Sequence, residues 1–325
     1  MLEHEFDVTN ASVEVHDGNI LITTPSLGNV DQGKLVSALQ QIPGVAQVEI
    51  RIADPSSMRK IDGAVHAFIP AHSKWLPRGS LFAPLHADPR WPHFFASYRQ
   101  YTKGMNQDGL FSANFGETFA IYRDKAPFDG EWEFGIQAGA FSLFNVNTES
   151  TQLVNVDYRV GFLGSYRKGR FSAFTRVYHS SSHLGDKFLN DPSVTNVKLS
   201  YEELDFQLSY DITAWLRMYG GAGIIFHREP DGLGRGTTQW GVELVSARTF
   251  LSGRLRPVAY ADFQCLERTN WGVGQSIMAG VRFENALIGD RQMQLLFEFY
   301  EGPSPDGQFY LQRMSWYGIG LHLYF

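Results

Sequence analysis

Residues 316–325 read WYGIGLHLYF. Every second side chain, from Tyr317 through Ile319, Leu321 and Leu323 to Phe325, is apolar, so an extended strand here carries them all on one face. The same period runs back through the chain. On 291–300, Met293, Leu295, Phe297 and Phe299 oppose Gln292, Gln294 and Glu298. On 152–163, Val154, Val156, Tyr158, Val160 and Phe162 share one face, and Asp157, Arg159 and Gly161 the other. On 131–140, Trp132, Phe134, Ile136 and Ala138 oppose Glu131, Glu133 and Gln137. About twelve such segments can be marked, near 94–103, 109–123, 131–145, 152–167, 170–181, 200–211, 214–227, 237–250, 254–267, 271–284, 291–301 and 313–325.

Composition favours strands over helices: 32 Gly, 25 Phe, 14 Tyr and 7 Trp accompany only 43% hydrophobic residues. No run approaches the ~18 apolar residues of a membrane helix, which says nothing of a strand-built membrane protein. The net charge of -6, without a Lys/Arg stripe, gives no case for nucleic acid. One cysteine, Cys265, leaves no internal disulfide framework. The start, MLEHEFDVTN, lacks a basic and an apolar export region, so we expect numbering that begins after a removed signal peptide.

A soluble sandwich would also alternate, with its apolar faces turned to a shared core. Two features point instead to an antiparallel transmembrane β-barrel of about twelve strands. Short connections (SYRKGR, YDITAW, FLSGRL) alternate with long polar ones at 182–199, 228–236 and 302–312, as the short inner turns and longer outer loops of such barrels do. The final WYGIGLHLYF also resembles the C-terminal signal by which outer-membrane barrels are recognised, which implies the barrel assembly machinery as a partner through Phe325.

The front differs in texture. ASVEVHDGNILITT is two alternating runs joined by Asp17-Gly18, a hairpin signal. DQGKLVSALQQIPG spaces Leu35, Leu39 and Ile42 at helical intervals before Pro43-Gly44, and VAQVEIRI returns as a strand. Residues 1–52 are thus expected to be a small ββαβ module. Its helix, PGV, strand pattern resembles small periplasmic domains and suggests a periplasmic protein partner for residues 5–52; a plain packing module is the competing reading. Residues 53–93 are rich in Pro and aromatics, an ordered connector or plug, and the barrel occupies 94–325.

Within that connector, LPRGSLFAPLHADPR followed by FFASYR resembles the entry motif of a family of predicted bacterial outer-membrane proteins, the domain of unknown function 1207. The similarity extends to HSSSHLGD and covers most of the chain after residue 68. It implies an outer-membrane barrel and carries over no activity.

One strand holds the candidate chemistry. In GRFSAFTRVYHSS (169–181), Arg176 is expected to face the lumen, because an arginine on the lipid face near the midplane costs roughly 2–4 kcal/mol. Period two then turns His179 and Ser181 outward. On the next strand, SYEELDFQLSYDI (200–212), Glu203, Asp205, Gln207 and Ser209 go inward and Glu202 outward. A serine, a histidine and a carboxylate at the lipid rim are the parts of a nucleophilic hydrolase. The arrangement resembles the outer-membrane acyl hydrolases, phospholipase A and the lipid A deacylase, whose H-x-S motif sits on the outer wall of a barrel. That resemblance implies His179 as base, Ser181 as nucleophile, Glu202 as orienting acid, outer-leaflet phospholipid or lipopolysaccharide as substrate, and calcium for the phospholipase type. Phospholipase A continues with Asn-Gly, where Ser182-His183 follow here. The plain alternative is a rim cluster that bonds headgroups or caps a loop. His183 and Asp186 are alternates, and with His179 they form a third option, a metal site.

The inward residues Glu131, Glu133, Asp157, Arg159, Arg176, Glu203, Asp205, Gln207, Glu243, Asp262, Gln292, Gln294 and Glu298 raise a second class of function. Either opposite charges pair and fill the lumen, or they line a cation-favouring path gated by 68–92, which predicts a conductance that responds to neutralising Glu203 and Asp205. A structural or scaffolding barrel is the third class. GLGRG (232–236) lacks phosphate-loop context, and His86 beside Asp88 reads as a turn contact. Trp75, Trp91, Trp215, Trp271 and Trp316 fall near segment ends, as interface girdles would.

Overall fold

The computed structural model describes residues 12–16, 19–24, 32–40, 45, 47–52, 75–105, 109–189, 196–288 and 291–324. They fall in two units, residues 1–67 and 68–325.

The first unit is a three-stranded sheet under one helix. β1 (Ser12–His16) pairs antiparallel with β2 (Asn19–Thr24), helix α1 (Gln32–Gln40) crosses over, and β3 (Gln47–Ile52) pairs parallel to β2. Such a parallel pair needs a crossover, and a helix is its usual form. Leu35 and Leu39, one helical turn apart, close over Ile20 and Ile22. Asp17, Gly18 and Ile42 lie outside the described residues.

The second unit is a closed barrel of twelve antiparallel strands: β4 (Phe94–Lys103), β5 (Gly109–Ala126), β6 (Gly130–Asn145), β7 (Gln152–Lys168), β8 (Phe171–Leu184), β9 (Ser200–Asp211), β10 (Leu216–Glu229), β11 (Gly236–Val245), β12 (Leu255–Leu266), β13 (Val273–Ile288), β14 (Arg291–Pro303) and β15 (Arg313–Tyr324). β15 closes on β4, with Leu323 opposite Phe94. Closure removes the open edges that a lipid environment would leave unpaired. The outward faces carry bare apolar side chains, among them Phe119, Phe162, Phe206, Phe297 and Ile319. A belt of that kind suits hydrocarbon, and no described helix is long and apolar enough to cross a membrane.

Connections at one end are short, as at 169–170, where Gly169 takes φ 56° between β7 and β8. At the other end, the loop end, β8 runs into helix α2 (Asp186–Leu189) and the chain to β9, and 304–312 link β14 to β15.

Three sequence expectations are corrected. Val154 does not share a face with Tyr158: a bulge between the Leu143 and Phe144 pairings skips it, and it is buried inward against Leu143 and Leu184. The eighth strand ends at Val245 rather than near 250, and Phe250 keeps only an isolated bridge to Leu255 around the turn at Leu251 and Ser252, both at positive φ. Trp91 and Trp316 are not girdle residues. Both are buried inside, Trp91 against Phe82 and Phe174, and Trp316 stacked on Tyr300 beneath the Arg99 guanidinium. Phe325 lies outside the described residues.

Residues 75–93 fill the lumen. The segment pairs with β5 near the short-turn end through Trp75 and Tyr122. It then meets the inward faces of the wall at successive points. Ser80 Oγ and the Leu81 N–H donate to Glu133 at 2.8 and 2.9 Å, and Arg123 donates to the other oxygen at 2.6 Å. Arg217 donates to the Ala83 and Pro84 carbonyls and to Glu243, each within about 3 Å. The His86 N–H and ring both meet Glu243 Oε1, and the ring stacks on Tyr260. Arg90 forms ion pairs of 2.7 Å with both Asp157 and Asp306. Phe82, Leu85 and Trp91 pack on Leu163, Phe174 and Tyr219. The ring nitrogens of His93 and His322 lie 2.9 Å apart, and His322 donates to Glu298. At these points the polar wall and the segment satisfy each other, as buried charges require. Asp88 accepts from the Arg90 N–H and from Gln264.

Candidate functional site

β8 is buried at every second residue from Ser172 to Leu184. Arg176 sets that phase, held inward by Asp205 at 2.7 Å and by Gln137. His179 and Ser181 therefore stand on the outer wall toward the loop end, two residues apart on one face.

The neighbouring strands bring in their partners. The register sets His179 opposite Glu202 on β9, and Ser181 opposite Ser200 on β9 and Tyr158 on β7. His179 Nδ1–H donates to Glu202 Oε1 at 2.8 Å. The second carboxylate oxygen accepts from Nδ1 of His227 on β10, the residue opposite Glu202 on its other side. Three strands thus hold a His179, Glu202, His227 row on the outer wall, with Ser181 one step toward the loops. Glu202 is half-buried while His227 is open.

This row is chemically legible. A carboxylate that takes the Nδ1–H fixes the imidazole tautomer and leaves Nε2 with its lone pair, the form a general base needs. The carboxylate also stabilises the imidazolium that forms when the base has taken a proton.

His183 and Asp186 do not join it. His183 is exposed on the same face, its ring edge-on to Tyr158, and Asp186 begins α2 beyond the strand. Among the described residues no three His, Cys, Asp or Glu are placed to hold a metal ion, so the option of His179, His183 and Asp186 is set aside and no calcium chemistry is derived from this wall.

His227 escaped the sequence reading for a physical reason. Strict alternation along β10 turns it inward with Ile225, which is fully buried. A bulge between Ile225 and His227 resets the phase and delivers the imidazole to Glu202.

Of the inward residues expected from the pattern, Glu133, Asp157, Arg176, Glu203, Asp205, Gln207, Glu243, Asp262, Gln294 and Glu298 are buried inside the barrel, and Arg159 donates to the Arg90 carbonyl. Glu131 is half-buried near the short-turn end, and Gln292 is half-buried as well.

A closed twelve-stranded barrel with an apolar outer wall and a filled polar lumen is the architecture of outer-membrane β-barrels. The chain belongs to the family described as protein of unknown function DUF1207, which it matches over residues 5–325. Among solved structures, the outer membrane phospholipase A from Escherichia coli is similar with a TM-score of 0.52 at 13% identity, over 74% of this chain and 97% of that one. The Salmonella typhi outer membrane phospholipase dimer with bound calcium gives 0.52 at 12%, over 75% and 98%. The KdgM porin gives 0.40 at 11%, over 71% and 98%. A search of the curated proteins finds no match.

Proposed function

We propose that this chain is a bacterial outer-membrane acyl-ester hydrolase acting on lipids of the outer leaflet, with its N-terminal module in the periplasm. The observation that carries the reading is the 2.8 Å bond from His179 Nδ1 to Glu202, on the same outward face as Ser181. Ser181 Oγ attacks the acyl carbonyl while His179 Nε2 takes its proton. The C–O bond to the lipid alcohol then breaks, and the alcohol leaves with that proton. Water, deprotonated by the same nitrogen, cleaves the acyl-serine and releases fatty acid. Glu202 holds the base in its tautomer and offsets its charge. The likeness in fold to outer membrane phospholipase A supports the barrel that this chemistry uses and leaves the substrate to experiment. Phospholipid and lipopolysaccharide are the two candidate substrates.

The test is fatty-acid release by the refolded full chain in mixed micelles of phospholipid or of lipid A. Release is expected from the wild type and is abolished by Ser181→Ala while the barrel keeps its heat-dependent shift in gel mobility. Measuring the rate with and without calcium separates a cation-assisted reaction from one carried by the side chains alone. No release from either lipid, or equal release by Ser181→Ala, would refute the assignment. The filled lumen counts against the alternative reading of a solute channel.

A further inference from the structure

On the lumen side of the same barrel, toward the loop end, a cavity of about 60 Å³ is lined by Arg90, Arg159, Arg268, Asp157, Tyr201 and Gly307, among others. It has room for about four waters or one tetrahedral oxyanion. The carboxylate on its wall is already saturated: Asp157 accepts from Arg90, Asn155, Ser182 and the Gly307 N–H. Arg90 is neutralised in turn by Asp157 and Asp306.

The other two guanidinium groups form no such pair among the described residues. Arg159 lies over the Tyr178 ring at 4.5 Å and donates to the Arg90 carbonyl at 3.2 Å, while the carboxylates of Asp88 and Glu203 act on it from beyond ion-pair distance. Arg268, in the 267–269 turn at the loop end, lies over the Tyr201 ring at 5.1 Å. Its Nε and Nη1 are buried without any acceptor, and among the described residues no other side chain has two such atoms. A guanidinium carries five donors and keeps its charge at any physiological pH. Two guanidinium groups outside any ion pair around one cavity, one of them with two buried donors unmet, suit an anion from outside the chain, and a forked donor fits a tetrahedral oxyanion bidentately. The acceptors left without partners nearby are Asp306 Oδ2, on the carboxylate that Arg90 holds, and Asp205 Oδ1 and Gln207 Oε1, whose residues line an adjoining cavity of about 40 Å³ that Arg159 and Arg268 share.

We propose that the loop-end cavity binds a phosphate group between Arg159 and Arg268, either as the free ion or as the phosphate of a glycosyl phosphate presented from the loop side. This site is separate from Ser181 and stands whether or not the wall hydrolyses lipid.

The test is calorimetric titration of the refolded full chain in nonionic detergent, at constant ionic strength, with inorganic phosphate, glucose 1-phosphate, glucose and calcium chloride. Saturable binding is expected for at least one phosphate and not for glucose: response to inorganic phosphate identifies the free ion, and response to glucose 1-phosphate alone identifies the glycosyl source. Arg268→Gln and Arg159→Gln should each weaken it at least tenfold, about 1.4 kcal/mol, with Arg268→Lys in between because it keeps the charge and loses the fork. Arg268 belongs to a three-residue turn rather than a barrel strand, so its variants keep the barrel intact, as gel mobility will register. Absence of saturable heat from both phosphates up to about 10 mM, unchanged affinity in both Gln variants, or tighter binding of calcium than of either phosphate overturns the proposal.

Discussion

Glu202 accepts from two imidazoles, and the two bonds do different work. The bond from His179 sets the base; the bond from His227 holds the carboxylate from the far side. Replacing Glu202 by Gln keeps the shape while presenting an amide where the base needs an acceptor, and misassigned tautomers are costly in hydrolases of this logic. The expected loss in kcat is about 10²–10⁴-fold at unchanged KM. His227→Ala removes one orienting hydrogen bond worth about 1 kcal/mol, so a fall of tenfold or less is expected. Both rates follow from fatty-acid release in mixed micelles; a His227→Ala variant as dead as His179→Ala would mean that His227 does more than orient the carboxylate, and a dead His227→Ala beside an active His179→Ala would make His227 the base. The outward phase of His179, Ser181 and Glu202 could be read from the sequence because one charged residue, Arg176, fixed the parity of its strand. His227 could not, because the bulge that turns it outward leaves no mark in the spacing of FHRE.

At the scale of elements, the strands and the segment inside them were legible to different degrees. Strand bounds follow from period two and from turns, and they depart from the structure chiefly where the chain bulges or turns at positive φ, as at Val154 and Leu251. The lumen segment has no period to read. Its prolines exclude long regular structure, and its course is set by wall contacts distant in sequence, such as Arg217 with Ala83 and Pro84. Arg217 is therefore a test of the segment as an element. It is almost fully buried, and its loss strands Glu243 with a fraction of its partners and frees two carbonyls. Breaking a buried pair of this kind costs about 3–5 kcal/mol. Arg217→Ala should lower barrel stability by that amount in urea titrations followed by tryptophan fluorescence, whereas Glu267→Gln, on an exposed loop-end turn, should change it far less, because the Gln oxygen still accepts from the Arg235 and Gly236 N–H groups. Equal effects of the two would mean that the segment adds little to the hold of the wall.

For the whole molecule, the question is what the filled lumen does to permeability. A barrel of this strand number is intermediate between those filled by their own side chains and those that leave a water channel. Here a second length of the same chain takes up the space, and inward charges that would attract ions in an open pore are bound to it or to each other: Glu133 to Ser80, Leu81 and Arg123, Glu243 to His86 and Arg217, Asp157 to Arg90. The intact protein is accordingly expected to give no discrete conductance steps in a planar bilayer. Replacing residues 75–92 with an equal length of Gly and Ser removes the wedge of Phe82, Leu85 and Trp91 along with the Arg90 ion pairs. The wall charges would then meet water rather than a dry void, so the barrel is expected to persist and to conduct. Steps from the wild type at moderate voltage would show that the segment leaves its place under the applied field. Silence from a replaced, correctly folded barrel would show that the wall side chains and the inward-folded 304–312 loop close the lumen without it.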